Sequence, residues 1–271
     1  MTELQKKLLN MLSWLHMFFV ENDISYYAIG GTALGAVRHQ GFIPWDDDID
    51  IGVPRKDYER LKELAQNIKD NAQYRFELPN EKRDSIYAYI KCYDTSTTLI
   101  ENTKLKNKRG IYIDIFPLDG LGSTYKESFS QFKKVNKKLN LLHARVCSLS
   151  NKRGLLKNIV IFCFKLIPPF IYSRKTLIKR VDELAKSKSY EQSMYLGNLM
   201  GAWHEKEIMQ REWFGRPKLV QFEDMQIYIP ENHDEYLKHL YGNYMQLPPI
   251  EKQKSHHDYI YINLNESYLE K

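Results

Sequence analysis

Residues 44-PWDDDIDIGVP-54 set four carboxylates, Asp46, Asp47, Asp48 and Asp50, among apolar neighbours in a chain whose formal net charge is +6. Side chains on a strand alternate between faces. A strand that starts early in this run carries Asp46, Asp48 and Asp50 on one face. Ile49, Ile51 and Val53 then lie on the other, toward a core, and Asp47 faces away from the acids. Like charges on one face repel, so either water screens them or a cation holds them together. Hard divalent ions take oxygen ligands of this kind. D-x-D-x-D also opens an EF-hand loop, but the sixth and twelfth positions from Asp46 are Ile51 and Asp57. That loop needs Gly and Glu there, which excludes it. A solvated acidic turn is the plainer alternative, and the aliphatic residues between the acids argue against it.

Upstream, 24-ISYYAIGG-31 reads as a short strand entering a glycine turn, and 32-TALGAVRH-39 as a helix with Thr32 at its N-cap. Backbone N–H groups at such a turn can point at an anion. Gly30, Gly31 and Gly35 match neither G-x-G-x-x-G nor a P-loop. Downstream, Pro54 opens a helix over 54–70, and strands are expected at 85–94 and 111–116. In the second, Ile111, Ile113 and Ile115 share one face, and Tyr112, Asp114 and Phe116 the other. An acid on an interior strand needs a partner. Asp114 either shares a cation with Asp48 and Asp50 or pairs with a buried Lys or Arg. Residues 124–200 read as mostly helical and lysine-rich, followed by a strand at 225–230 and a helix at 231–242. Strands in the first half and helices in the middle predict an α+β core with a helical addition. The expected division is 1–123, 124–200 and 201–271.

With 271 residues and 43% hydrophobic content, the chain can bury a full core and is not disordered. A pI near 8.9 suits an anionic partner without choosing one. Three cysteines, without a C-x-x-C pair, fit a reducing compartment and exclude a disulfide scaffold or zinc knuckle. Residues 1–22 read as an amphipathic helix rather than a leader, with Met11, Leu12, Leu15, Phe18 and Phe19 packing inward. The segment 155-LLKNIVIFCFKLIPPFIYSRK-175 is strongly apolar, but Lys157, Lys165 and Pro168-Pro169 interrupt it. A membrane span needs about 20 apolar residues, so two readings stay open: a buried core helix, or a segment lying in a membrane interface.

Gly-Gly before a helix, an acid-x-acid strand and a later hydrophobic-Asp-hydrophobic strand together resemble the nucleotidyltransferase superfamily. The stretch 30-GGTALGAVRHQGFIPWDDDIDIGVPRKDYERL-61 closely resembles the LicD family of bacterial phosphocholine transferases, with the fukutin-related enzymes as distant kin. So do 110-GIYIDIFPLDG-120, the stretch around Trp213-Phe214-Gly215, 241-YGNYMQLPP-249 and 254-KSHHDY-259.

The resemblance implies a nucleotidyltransferase-like mixed sheet. It makes Asp48 and Asp50 the primary ligands of Mg2+ (or Mn2+), with Asp114 completing the set and Asp46 binding directly or through water. Gly30, Gly31 and Thr32 would contact the donor phosphate. Arg38 and Lys91 would either neutralise phosphate or serve as structural charges. His256 and His257 would bind phosphate, orient the acceptor hydroxyl or lend structure. The implied reaction moves phosphocholine from CDP-choline to a sugar hydroxyl of a teichoic acid or lipopolysaccharide type glycan, or of its polyprenyl-linked precursor, releasing CMP. Asp114 would accept the hydroxyl's proton. Alternatives are another CDP-alcohol donor (ribitol or glycerol), nucleotidyl transfer from CTP or ATP, a non-catalytic module, and a binding protein with a structural cation. No nucleic-acid partner is expected. The expected location is the cytoplasm, with contact at the inner membrane face if the acceptor is lipid-linked.

Overall fold

Alternation along the acidic run places its aliphatic residues in the core: in the computed structural model Ile49, Ile51 and Val53 are each 0% exposed. The structure describes residues 1–271 except 69–71, 81–86, 103–105, 147–158, 160–161, 164–172, 256 and 270–271. Its strands in chain order are β1 (Tyr27–Ala28), β2 (Asp50–Pro54), β3 (Tyr74–Glu77), β4 (Ile90–Asp94), β5 (Thr98–Glu101), β6 (Lys108–Arg109) and β7 (Tyr112–Gly122). There follow β8 (Tyr195–Gly197), β9 (Met209–Gln210), β10 (Lys218–Phe222), β11 (Met225–Ile229) and β12 (Tyr259–Asn263). The main sheet runs β1-β2-β7-β4-β3, and β8 and β9 continue from β7. Only β2 and β7 pair in parallel within that path; the other neighbours are antiparallel, so the sheet is mixed. A β10–β11 hairpin and a β12-β5-β6 sheet flank it. With the helices below, the fold is α+β.

Several expected boundaries shift. The strand expected from 48 begins at Asp50, and the one expected over 24–31 is only Tyr27–Ala28. Thr32 is not an N-cap. The helix after the glycine turn starts at Gly30 with Ile29 capping it, because the Thr32 hydroxyl accepts a hydrogen bond from the Asp50 N–H at 2.9 Å.

The helices are α1 (Glu3–Glu21), α2 (Gly30–His39), α3 (Arg55–Ala65), α4 (Tyr125–Val146), α5 (Arg174–Ala185), α6 (Arg211–Phe214) and α7 (His233–Tyr241). A capping box between Thr2 and Gln5 starts α1. Its apolar face buries Met11, Leu12, Leu15 and Phe19 as the spacing predicts, and Phe18 packs half-buried against them. Buried Gln5 also donates to the Asp46 carbonyl at 2.8 Å, so the N-terminal helix holds the acidic turn. Helices α4 and α5 form a second apolar cluster through Val135, Leu139, Leu142, Leu177, Ile178 and Val181. Among the described residues no helix is long and apolar enough to cross a membrane. The segment around Lys157, Lys165 and Pro168-Pro169 lies outside the described residues.

Arg55, the first residue of α3, joins the helical layer to the sheet. Its guanidinium grips Asp119 of β7 through two bonds of 2.6 and 2.8 Å and reaches Asp182 of α5 at 2.8 Å. Asp119 is 0% exposed. Removing one partner of such a buried pair leaves an uncompensated charge. Arg55→Met is therefore expected to lower the unfolding free energy by about 3–5 kcal/mol, measured by urea denaturation. Adding Asp119→Leu should recover much of that loss; an Arg55→Met protein of unchanged stability would mean the grip contributes nothing.

Candidate active site

Three neighbouring strands carry Asp50, Asp114 and Lys91 at one register position, Asp50 opposite Asp114 and Asp114 opposite Lys91. Laterally paired residues face the same side of a sheet. One step along, Ile51, Ile115 and Ile90 form the matching trio on the other face, each fully buried. The Lys91 amine lies 2.7 Å from Asp114 Oδ1 and 3.3 Å from the Tyr112 ring centroid. Asp114 thus has the buried lysine partner that was one of its two readings, and Lys91 stands behind it as its counter-charge.

The two glycines explain how the carboxylates reach the start of α2. A Cβ on Gly31 would stand 2.7 Å from Asp46 Oδ2, and one on Gly30 3.4 Å from Asp50 Oδ2. Gly30 also has φ +55°, a left-handed conformation that glycine adopts without strain. Its N–H donates to the Tyr236 hydroxyl at 2.9 Å. Gly30 therefore shapes the site and fixes α7 to it, while Thr32 supports the backbone of Asp50 from behind.

Asp47 corrects a reading based on alternation. Residues 46–49 precede the strand, and the Asp46 N–H turns back to the Ile43 carbonyl at 2.9 Å. Asp47 accordingly faces the C-terminal segment, accepting from Ser255 Oγ and meeting His257 Nδ1, both at 2.8 Å. The other ring nitrogen of His257 lies 3.6 Å from Asp48. His256 falls outside the described residues. Arg38 is not brought to the acids: it donates to the Tyr244 carbonyl at 2.7 Å from the far end of α2.

Asp48, Asp50, Asp114, Gly30 and His257 line a cavity of about 390 Å³. Its other walls include Tyr89, Trp203, Glu207 and Tyr236, none of which the sequence singled out. Tyr236 could have been found only as an aromatic on the apolar face of the expected 231–242 helix, and Trp203 and Glu207 stand in a stretch without periodicity.

Residues 23–144 match the family model described as LicD/FKTN/FKRP, nucleotidyltransferase domain. Over 263 residues, 94% of this chain and 95% of the relative, the sequence is 30% identical to the lipopolysaccharide cholinephosphotransferase LicD of Haemophilus influenzae. The chain belongs to the LicD family. It is also 40% identical over 80 residues to an uncharacterised Rickettsia typhi protein, 26% of each chain. A shorter stretch of 41 residues, 15% of this chain and 8% of the relative, is 42% identical to the human ribitol 5-phosphate transferase FKRP. The family model ends at residue 144, so Glu207, Tyr236 and His257 lie beyond it.

The charges in this LicD-family site strain against each other. Burial, then the Asp48 charge, pushes the Asp46 carboxyl up to about 8. Burial and the charges of Asp48, Asp114 and Asp46 hold Asp50 well above the usual carboxylate range. Burial also raises Asp114, with Lys91 opposing. Burial acts on Asp47 in the same direction, but hydrogen bonds from His257 and Ser255 outweigh it and hold Asp47 low. The Asp47 hydrogen bond, against burial and with help from the Asp48 charge, lifts His257 to about 9. The cluster is an oxygen-only donor set with surplus negative charge, which fits a hard divalent cation in chemistry. In geometry it is not a closed cage: among the described residues no three acid, histidine or cysteine groups already converge as a metal set.

Apart from the lowered Asp47, these shifts have one sign. Asp46, Asp50 and His257 all hold a proton more tightly folded than unfolded. Their contribution is present below the unfolded pKa values and lost as pH rises through the folded ones. With divalent ions chelated, the melting temperature should fall between about pH 6 and pH 9. Asp46→Asn should flatten that fall. Scanning calorimetry across this range checks it, and a melting temperature that climbs with pH would contradict the crowding.

Proposed function

We propose that this chain is a metal-dependent phosphotransferase that moves phosphocholine from CDP-choline to a sugar hydroxyl of a cell-surface glycan, or of its lipid-linked precursor, releasing CMP. Likeness over nearly the whole chain to a lipopolysaccharide cholinephosphotransferase supports the group transferred and the acceptor class. The observation that carries the chemistry is the shared register of Asp50, Asp114 and Lys91, set beside Gly30 and Asp48 in one cavity.

Asp48 and Asp50, with Asp114 and Asp46, are the oxygen donors that would hold Mg2+ or Mn2+. Such an ion, when bound, polarises the phosphoryl oxygens and neutralises charge as the bond breaks. The chain's own groups do the rest. The acceptor oxygen attacks the phosphorus that bears choline. The bond from that phosphorus to the CMP oxygen breaks, and CMP leaves with the electron pair. Asp114 takes the hydroxyl's proton: Lys91 holds its Oδ1 in place, and burial makes the carboxylate a stronger base. His257, positively charged at neutral pH and 3.6 Å from Asp48, adds a cation beside the developing charge. On this reading the enzyme works in the cytoplasm, at the inner membrane face where its acceptor is lipid-linked.

Calorimetric titration of CDP-choline, CDP-ribitol, CDP-glycerol and CTP, with Mg2+ and with EDTA, tests the proposal without an acceptor. CDP-choline should bind in a Mg2+-dependent way, and Mg2+ alone should raise the melting temperature at pH 8. Asp48→Asn should keep its fold, lose the Mg2+ response and lower kcat by about 100-fold or more. Preference for CDP-ribitol would keep the chemistry and change the group. Turnover of CTP alone would replace the reading with nucleotidyl transfer, and full activity of Asp48→Asn would remove Asp48 from the site.

A further inference from the structure

No step above uses Glu207, although it lines the same cavity. It ends the one-turn 3-10 segment His204–Glu207 and is only 6% exposed. Gly201 makes room for its carboxyl, since any Cβ there would collide with Oε1. A backbone hydrogen bond from Trp203 reaches its carboxyl. Among the described residues no lysine, arginine or histidine forms an ion pair with it; the neighbouring Lys206 amine is turned to the Leu240 carbonyl at 3.1 Å. Burial accordingly pushes the Glu207 carboxyl up to about 8. An acid placed this way is short of a cation.

The walls beside it are aromatic. Trp203 lines the cavity and meets Tyr241 edge to face, with ring centroids 4.8 Å apart. Tyr236, also in the wall, ties its hydroxyl to the Gly30 N–H. Both tyrosines lie within the electrostatic reach of Glu207 and of Asp50. Gly201 and Ala202 keep that wall free of bulk. A neutral polyol asks for several hydrogen-bonding groups. A quaternary ammonium has no N–H to satisfy and is bound by ring faces and a single negative charge.

We propose that Glu207, with the rings of Trp203, Tyr236 and Tyr241, forms the subsite for a quaternary ammonium head group on the transferred alcohol phosphate. The attachment of that head group to a phosphate rests on the phosphotransfer reading; recognition of the ammonium does not.

The test compares CDP-choline with CDP-glycerol, which share a nucleotide and differ in head-group charge, on the full chain with Mg2+. Wild type should bind CDP-choline about tenfold or more tightly than CDP-glycerol. Glu207→Gln, nearly the same size, should shrink that ratio to about twofold or less while leaving CDP-glycerol and CMP affinity unchanged, and Glu207→Asp should keep part of the preference. A ratio untouched by Glu207→Gln, or an equal loss for both ligands, overturns the subsite. If neither CDP-alcohol binds wild type, the donor reading fails, and tetramethylammonium decides the subsite alone. A tryptophan fluorescence change that wild type shows and both Glu207→Gln and Trp203→Phe lose upholds it. No change in wild type overturns it.

Discussion

Like charges crowded on one face of a sheet dictate much of this fold. Asp50 and Asp114 sit side by side across a parallel strand pair, with Asp46 and Asp48 in the turn that precedes it. The isoleucines of the same strands fill the opposite face. Because the side-chain period is two, a slip of one residue would send the carboxylates into the core and the isoleucines into the cavity. Apolar burial therefore fixes the register that electrostatics resists. The remaining contacts restrain the backbone where repulsion would open it. Gln5 holds the Asp46 carbonyl, Thr32 takes the Asp50 N–H, and Tyr236 takes the Gly30 N–H.

Features with a local period were legible in the sequence, and features decided by distant partners were not. The alternation from Ile111 to Phe116 gave a strand with Asp114 on its polar face, and the burial of Ile113 and Ile115 bears that out. Thr32 had every local mark of an N-cap, yet a strand N–H 18 residues away competed for its hydroxyl and won. Asp47 was assigned by strand alternation in a stretch that is not strand, so its bond to a histidine 210 residues on was invisible. Arg38 was legible as a cation at the end of α2, but its bond to the Tyr244 carbonyl, 206 residues on, was not. Nothing local marks Glu207. Its meaning depends on Trp203 beside it and on two tyrosines about thirty residues later.

Residues beyond 230 close on the first hundred to make the site. Strand β12 pairs with β5, and Ser255 and His257 just before it reach Asp47. Helix α7 brings Tyr236 to Gly30. A matched domain ending at residue 144 and a likeness spanning 94% of the chain are therefore compatible. The first region carries the crowded acids, and the remainder supplies the histidine, rings and second acid that complete the cavity wall.

That wall holds acids in two different settings. The cluster gathers several carboxylates with few cations, an arrangement that becomes favourable when a small ion of high charge density replaces protons among many oxygens. Glu207 stands apart, with one carboxyl and aromatic faces, and there a small divalent ion would lack ligands. A bulky monovalent cation reverses both preferences: it is too large and too weakly charged to bind several oxygens together, and it gains from ring faces that a hydrated metal ion would not displace its water to reach. A phosphorylated choline carries both demands on one molecule, anionic oxygens at one end and a methylated ammonium at the other. On the proposed reading, a cation held by the cluster would meet the first demand, and Glu207 with its neighbouring rings the second.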